Sequence, residues 1–158
     1  MNNKELLNEQ LIKAILDKNY KKVYYILALK ADVNARACGG IGCSALSVAK
    51  KIGALEIANL LEQRGGIEIN PSSENADALG LLYFKALSED DVKSTFLCGG
   101  NIEMKNKGST PLLDALENRQ YCKAKWLLKY GADVNAVNSD GRSALFYVVD
   151  DGADEIFM

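Results

Sequence analysis

Apolar residues fall along this chain at helical spacing. Ala14, Ile15 and Leu16 precede a second group, Val23, Tyr25, Ile26 and Leu27. Leu55, Ile57, Leu60 and Leu61 form a stripe that one helix face would bury. Leu79, Leu81, Leu82, Phe84 and Leu87 predict another helix, and Val92, Phe96 and Leu97 the one after it. Trp126, Leu127 and Leu128 line a later one. Helix punctuation separates these groups. Ser44 and Thr110 are N-cap residues, whose hydroxyls accept from an orphan N–H of the first turn. Pro111 follows at the first helical position, where its missing N–H costs nothing. Gly53 and Gly152 mark turns between helices, and Gly131 predicts a left-handed helix end. Pro71-Ser72-Ser73-Glu74-Asn75 reads as a loop.

One motif returns. Ala31-Asp32-Val33-Asn34-Ala35 is echoed by Gly131-Ala132-Asp133-Val134-Asn135-Ala136 and, more weakly, by Gly66-Ile67-Glu68-Ile69-Asn70. From Asn34 to Asn135 the chain divides into three steps of roughly 33 or 34 residues. Thr110-Pro111-Leu112-Leu113-Asp114-Ala115 is the matching helix start. On these residues the chain resembles an ankyrin-repeat protein over nearly all of its length. The resemblance implies an all-α fold: an ankyrin-repeat solenoid of stacked helix-turn-helix pairs with β-hairpin-like finger loops. It also implies one domain over residues 1–158, with repeats at about 5–36, 37–70, 71–105 and 106–137 and a partial one at 138–158.

The repeats differ in quality. In the first, Lys18 and Lys30 stand where the family has glycine. In the second, Gly42-Cys43-Ser44-Ala45-Leu46 stands for G-x-T-P-L, and a surplus residue is expected at Gly65-Gly66. The third is the poorest match, with Gly99-Gly100-Asn101-Ile102 as a worn G-A-D-V, its register open by one or two residues. It is expected to open first. The fourth is the best. The fifth begins at Asp140-Gly141-Arg142-Ser143-Ala144-Leu145 and ends at Ile156-Phe157-Met158, about one turn into a second helix. The expectation is a fragment of a longer protein; the alternative is an apolar end packed back as a cap. Ser47, Leu113 and Phe146 replace the family's histidine, which implies a weaker or more apolar junction between repeats. The family pattern further implies that Val33, Ile69, Ile102 and Val134 are buried at the finger bases. It places Tyr25 and Trp126 in core positions and Tyr24 outward.

Composition narrows the function. At 158 residues, 48% apolar and 25% charged, the chain suits one soluble domain. Its net charge of −2 supplies no basic field for nucleic acid or an anionic membrane. No apolar run approaches the ~20 residues of a membrane span. The opening Met1-Asn2-Asn3-Lys4-Glu5 leads into an amphipathic helix and does not read as a secretory signal. The four cysteines (Cys38, Cys43, Cys98 and Cys122) include no C-x-x-C pair, which fits thiols in the cytoplasm, or in a host cytoplasm for a delivered protein. There is no histidine, so the commonest acid–base group and metal ligand are missing. No catalytic residue, metal or cofactor is nominated, and the chain is expected not to be an enzyme.

Two stretches carry sharper alternatives. Cys38-Gly39-Gly40-Ile41-Gly42-Cys43 lacks the lysine and Ser/Thr of a phosphate loop and the ligands of a zinc knuckle. A thiol-redox role for Cys38 and Cys43 remains the minor alternative to a plain finger loop. Asp150, Asp151, Asp154 and Glu155 lack calcium-loop spacing and read as a solvated end.

The resemblance therefore implies a protein-binding module, its partner another protein, with no nucleic acid and no membrane. The family's variable positions fall, on the fingers, at Gly40, Ile41 and Cys43, at Glu74, Asn75 and Asp77, at Asn106, Lys107 and Ser109, and at Ser139, Asp140 and Arg142. On the exposed ends of first helices they fall at Asp17, Lys51, Ile52, Lys85, Glu117, Asn118 and Asp150. Lys21, Lys125 and Lys129 belong to the opposite face. Two roles fit: the recognition domain of a larger protein such as a bacterial effector, or a free-standing inhibitor such as an immunity protein. The apolar end at Ile156-Phe157-Met158 also allows a weak homodimer.

Overall fold

In a computed structural model, residues 2–151 are described, with side chains for residues 2–149. They form two compact units. The first holds the residues up to Asn75 together with Leu97–Gly99; the second holds Ala76–Phe96 and the residues from Gly100 onward. Among the described residues there are helices and isolated bridges but no strands, so the fold is all-α.

In the first unit, α1 (Asn3–Leu16) pairs with α2 (Tyr20–Ala28), and α3 (Ala45–Lys51) pairs with α4 (Leu55–Gln63). α1 lies against α3 and α2 against α4, so the two hairpins stack. Neither hairpin could bury its apolar faces alone. Together they cover Leu11, Ile15, Val23, Val48, Ile57 and Leu61. Local chemistry sets the ends of the helices. Asn2 and Glu5 form a reciprocal capping box at α1. Ser44 Oγ accepts from Ser47 N–H at α3, as expected. Gly53, after α3, takes a left-handed φ of 70°. Lys18 and Lys30, standing for the family glycines, take φ of 52° and 66°.

Tyr25 corrects the sequence reading: it is 63% exposed. The buried face of α2 is Val23, Ile26 and Leu27, spaced i, i+3, i+4, and Tyr25 at i+2 is turned off that face. Tyr24 faces outward as expected, with the Arg64 guanidinium 5.2 Å from its ring centroid.

In the second unit, α5 (Ala76–Gly80) and α6 (Leu82–Lys85) are followed by α7 (Glu89–Leu97). Next come the pair α8 (Pro111–Glu117) and α9 (Tyr121–Lys129), then α10 (Ala144–Asp151). α6 and α10 both pack on α8. Tyr83, Val92, Leu112, Leu113, Leu116, Leu127 and Val148 form the core. Thr110 caps α8 by accepting from Leu113 N–H, and Gly131 follows α9 with φ 95°. Trp126 is half-buried against this core. Lys123 is buried and donates from Nζ to Phe84 O at 2.7 Å, and desolvation holds its pKa below the ordinary lysine value.

The segment read as the third repeat departs most from its sequence pattern. The helix expected over Leu79–Leu87 is two short pieces, and it buries Leu79 and Tyr83 while Leu81 and Leu87 are exposed, Leu87 at 89%. Phe96 is likewise exposed, its ring 5.3 Å from that of Tyr130, while Val92, Ser94 and Thr95 supply the inner face of α7. The start of α7 is held by a reciprocal cap the sequence reading missed: Asp91 Oδ2 accepts from Leu87 and Ser88 N–H, and Ser88 Oγ accepts from Asp91 N–H.

The recurring A-D-V-N string proves to be a polar turn. Asp32 Oδ1 accepts from Asn34 N–H and Asp133 Oδ1 from Asn135 N–H, each at 2.9 Å. Asn101 Oδ1 accepts from Glu103 N–H in the same way at 3.0 Å. Side-chain acceptors hold these turns, so the hydrophobic residue inside them need not be buried. Val33, Ile69 and Ile102 are only half-buried and Val134 is 39% exposed, against the expectation for all four. At the position where the sequence reading expected a weaker junction, Ser47 Oγ donates to Ile69 O at 2.9 Å. Leu113 makes its own junction apolar, whereas Phe146 is exposed beneath Arg142. The expected turn at Gly152, the acidic Asp154 and Glu155, and Ile156-Phe157-Met158 lie outside the described residues.

Candidate functional site

In the second unit, two loops carry six of the nominated residues. Asn106 and Ser109 exchange backbone hydrogen bonds of 2.9 and 3.1 Å across a two-residue turn. Its central residues, Lys107 and Gly108, have φ of 51° and 81°. Positive φ at both is the hairpin-type turn whose twist suits two antiparallel arms. The next loop closes through the Val137–Ser143 bridge and is organised by one side chain. Asn138 Oδ1 accepts from Asp140 and Arg142 N–H at 3.0 and 2.9 Å. The two loops are joined edge to edge, because Ser139 N–H donates to Gly108 O at 3.0 Å.

This places Asn106, Lys107, Ser139, Asp140 and Arg142 together, all exposed. Arg142 lies over the Phe146 ring at 4.7 Å, which orients its guanidinium. Ser109 is the sixth and is half-buried; its hydroxyl oxygen is buried without a protein partner, so that group is not presented outward. Lys85 ends α6, Glu117 ends α8 and Asn118 caps it; all three are exposed. Asp77, in the first turn of α5, is exposed and accepts from Asn101 Nδ2 at 2.8 Å. Asp150 belongs to α10, and its side chain is not among those described.

In the first unit, Asp17 is the C-cap of α1, and Lys51 and Ile52 close α3, which lies beside it. Asp17 and Lys51 are exposed and Ile52 is half-buried. The loop between the hairpins is bridged at Arg36–Ser44. Arg36 reaches across it, donating to Gly42 O at 2.9 Å and Ile41 O at 3.1 Å, and Gly40 and Ile41 are left exposed at the tip. Glu74 and Asn75 are exposed on a single 3-10 turn, Ser73–Asn75, rather than on a hairpin.

Cys43 is a correction. It is completely buried and cannot contact a partner. Its N–H donates to Cys98 Sγ at 3.0 Å, and Lys51 Nζ lies 3.2 Å from its sulfur while donating to Leu97 O at 2.6 Å. The Cys98 thiol, also in reach of Cys38, donates to the Cys43 sulfur. That bond, together with Lys51 and Arg36, outweighs burial and draws the Cys43 thiol down to about 6. Hydrogen bonding to Cys38 first, then to Cys43, together with burial, pushes the Cys98 thiol above the ordinary thiol range. No signal in the sequence pairs Cys98 with Cys43, because only the fold joins them.

Residues 107–139 match the family model for the ankyrin repeat. The match covers the finger turn at Gly108, both helices of the best-formed pair and the following A-D-V-N turn. The all-helical fold of the described residues is consistent with that match. Ankyrin repeats serve in general as protein–protein interaction modules. No curated protein matches the chain. No helix among the described residues is long and apolar enough to cross a membrane.

Proposed function

We propose that this chain is a non-enzymatic recognition module that binds another protein through its finger loops and the exposed ends of its first helices. The observation that carries the reading is the Ser139–Gly108 hydrogen bond. It sets two finger loops side by side and gathers exposed side chains of both charges, with an arginine braced on an aromatic ring. Such a patch is the mixed polar and aromatic kind on which a few residues carry most of the binding energy. Four cysteines present as thiols support a reducing compartment, the cytoplasm.

The reading is tested by quantitative affinity capture from a source lysate. Lys107→Glu combined with Glu117→Lys and Asp140→Lys is expected to deplete the proteins captured by the native chain about tenfold or more. The melting temperature should stay within about 2 °C, as for exposed substitutions generally. Lys21→Glu with Lys125→Glu should capture the native set in full. Loss with the second pair and retention with the first triple would overturn the assignment.

A further inference from the structure

We propose that Cys43 and Cys98 form a thiol pair that hydrogen peroxide converts to a disulfide, with Cys43 as the attacking sulfur and Cys98 as the resolving one. The two lie far apart in sequence and are brought together inside the first unit, where Cys98 Sγ accepts from the Cys43 N–H at 3.0 Å. The approach is close enough that a Cβ on Gly42 would stand 2.9 Å from the Cys98 sulfur, so the absence of a side chain at 42 makes room for it. Lys51 sets the polarity of the pair. Its ammonium stands on the Cys43 sulfur, and a cation at that place stabilises the thiolate, the nucleophilic form. The low value of about 6 drawn above for Cys43 is consistent with this placement. Cys43 is shielded from solvent at rest, so a small neutral oxidant reaches it through a local opening of its surroundings.

The chemistry balances. The Cys43 thiolate attacks one peroxide oxygen, the O–O bond breaks, and hydroxide leaves and takes a proton from solvent to become water. Cys43 is then a sulfenic acid. The Cys98 sulfur attacks the sulfenic sulfur, the S–O bond breaks, and the hydroxyl departs as water with the Cys98 proton. Two thiols have given two electrons to one peroxide, yielding one disulfide and two waters. The bond would tie the loop that ends at Ser44 to Leu97–Gly99. This inference is independent of the protein-binding reading, since Cys43 and Cys98 are buried and its readout needs no partner.

The full chain is treated with a few equivalents of hydrogen peroxide, alkylated, and mapped by peptide mass spectrometry. The expected product is a Cys43–Cys98 linked peptide, with Cys38 and Cys122 recovered alkylated. Lys51→Met should slow its formation at least fivefold with little change in melting temperature. Cys98→Ser should leave a Cys43 sulfenic acid that dimedone traps. A Cys38–Cys98 link, oxidation confined to the exposed Cys122, or a native chain that gives no disulfide overturns the proposal. Mapping the native chain decides it even where a variant folds poorly.

Discussion

Lysine and arginine in left-handed backbone conformations mark where this sequence gives up stability. Lys18, Lys30 and Arg119 follow α1, α2 and α8 with φ between 52° and 66°, where the family pattern places glycine after α1 and α2. A left-handed L-residue costs roughly 1–2 kcal/mol, part of which glycine returns to the unfolded chain as entropy. Lys18→Gly and Arg119→Gly are therefore each expected to raise stability by about 0.5–1 kcal/mol in urea denaturation. Gly53→Ala, at φ 70° with open space around its Cβ position, should lower it by about 1 kcal/mol. A neutral result at all three would remove the conformational account. Features at this scale were legible in the sequence when their cause was local. The Ser44 and Thr110 caps depend on a partner three residues away, and both are present. Cys43 was not legible as buried because burial depends on distant partners: it is enclosed by Cys98, 55 residues on. Tyr25 is turned off the i, i+3, i+4 face of α2, a local periodicity that the family position obscured.

At the level of elements, the third repeat shows how packing overrides pattern. Its apolar positions read as one helix, yet the backbone hydrogen bonds change from i−4 at Leu81 N–H to i−3 at Phe84 N–H. Gly80 explains the approach of the following turn: a Cβ there would lie 2.5 Å from Asn101 O and 2.7 Å from Met104 Cβ. Neither atom is the loose end of a side chain, so Gly80→Ala should cost about 1–3 kcal/mol through overpacking. The short α5 and α6, with Leu81 and Leu87 turned outward, bury fewer residues than α8 and α9. Amide exchange followed by mass spectrometry should show α5 and α6 exchanging well before α8 and α9. Equal protection would contradict the view of a weak third repeat. The sequence reading names this segment as the poorest match but could not show the break, since Gly80 matters only through Asn101 and Met104. The Ser88–Asp91 cap is legible as Ser-x-x-Asp, since its partners lie three residues apart.

Over the whole molecule, the spacing of the polar turns was the most legible feature. Asp32, Asn101 and Asp133 make the same side-chain turn, so the period reflects one repeated local structure and not a coincidence of composition. The candidate surface was legible as loop and helix-end positions but not as contacts, since the Ser139–Gly108 link joins backbone atoms whose side chains give no sign of it. Charge is likewise a property of the entire chain. Its 19 basic residues face 21 acidic ones, and two lysines on helix surfaces are engaged by carboxylates. Lys50 lies 2.9 Å from Glu62 and 3.0 Å from Glu68, and Lys129 pairs with Glu89. Binding to a polyanion releases counterions in proportion to the phosphates neutralised, and here a cation must first leave a carboxylate. The expected result is no complex with duplex DNA or single-stranded RNA at micromolar protein, even at about 50 mM salt, where such contacts are strongest. A complex that weakened steeply between about 50 and 200 mM salt would show a basic surface that the charge balance conceals, and nucleic acid would then replace protein as the partner.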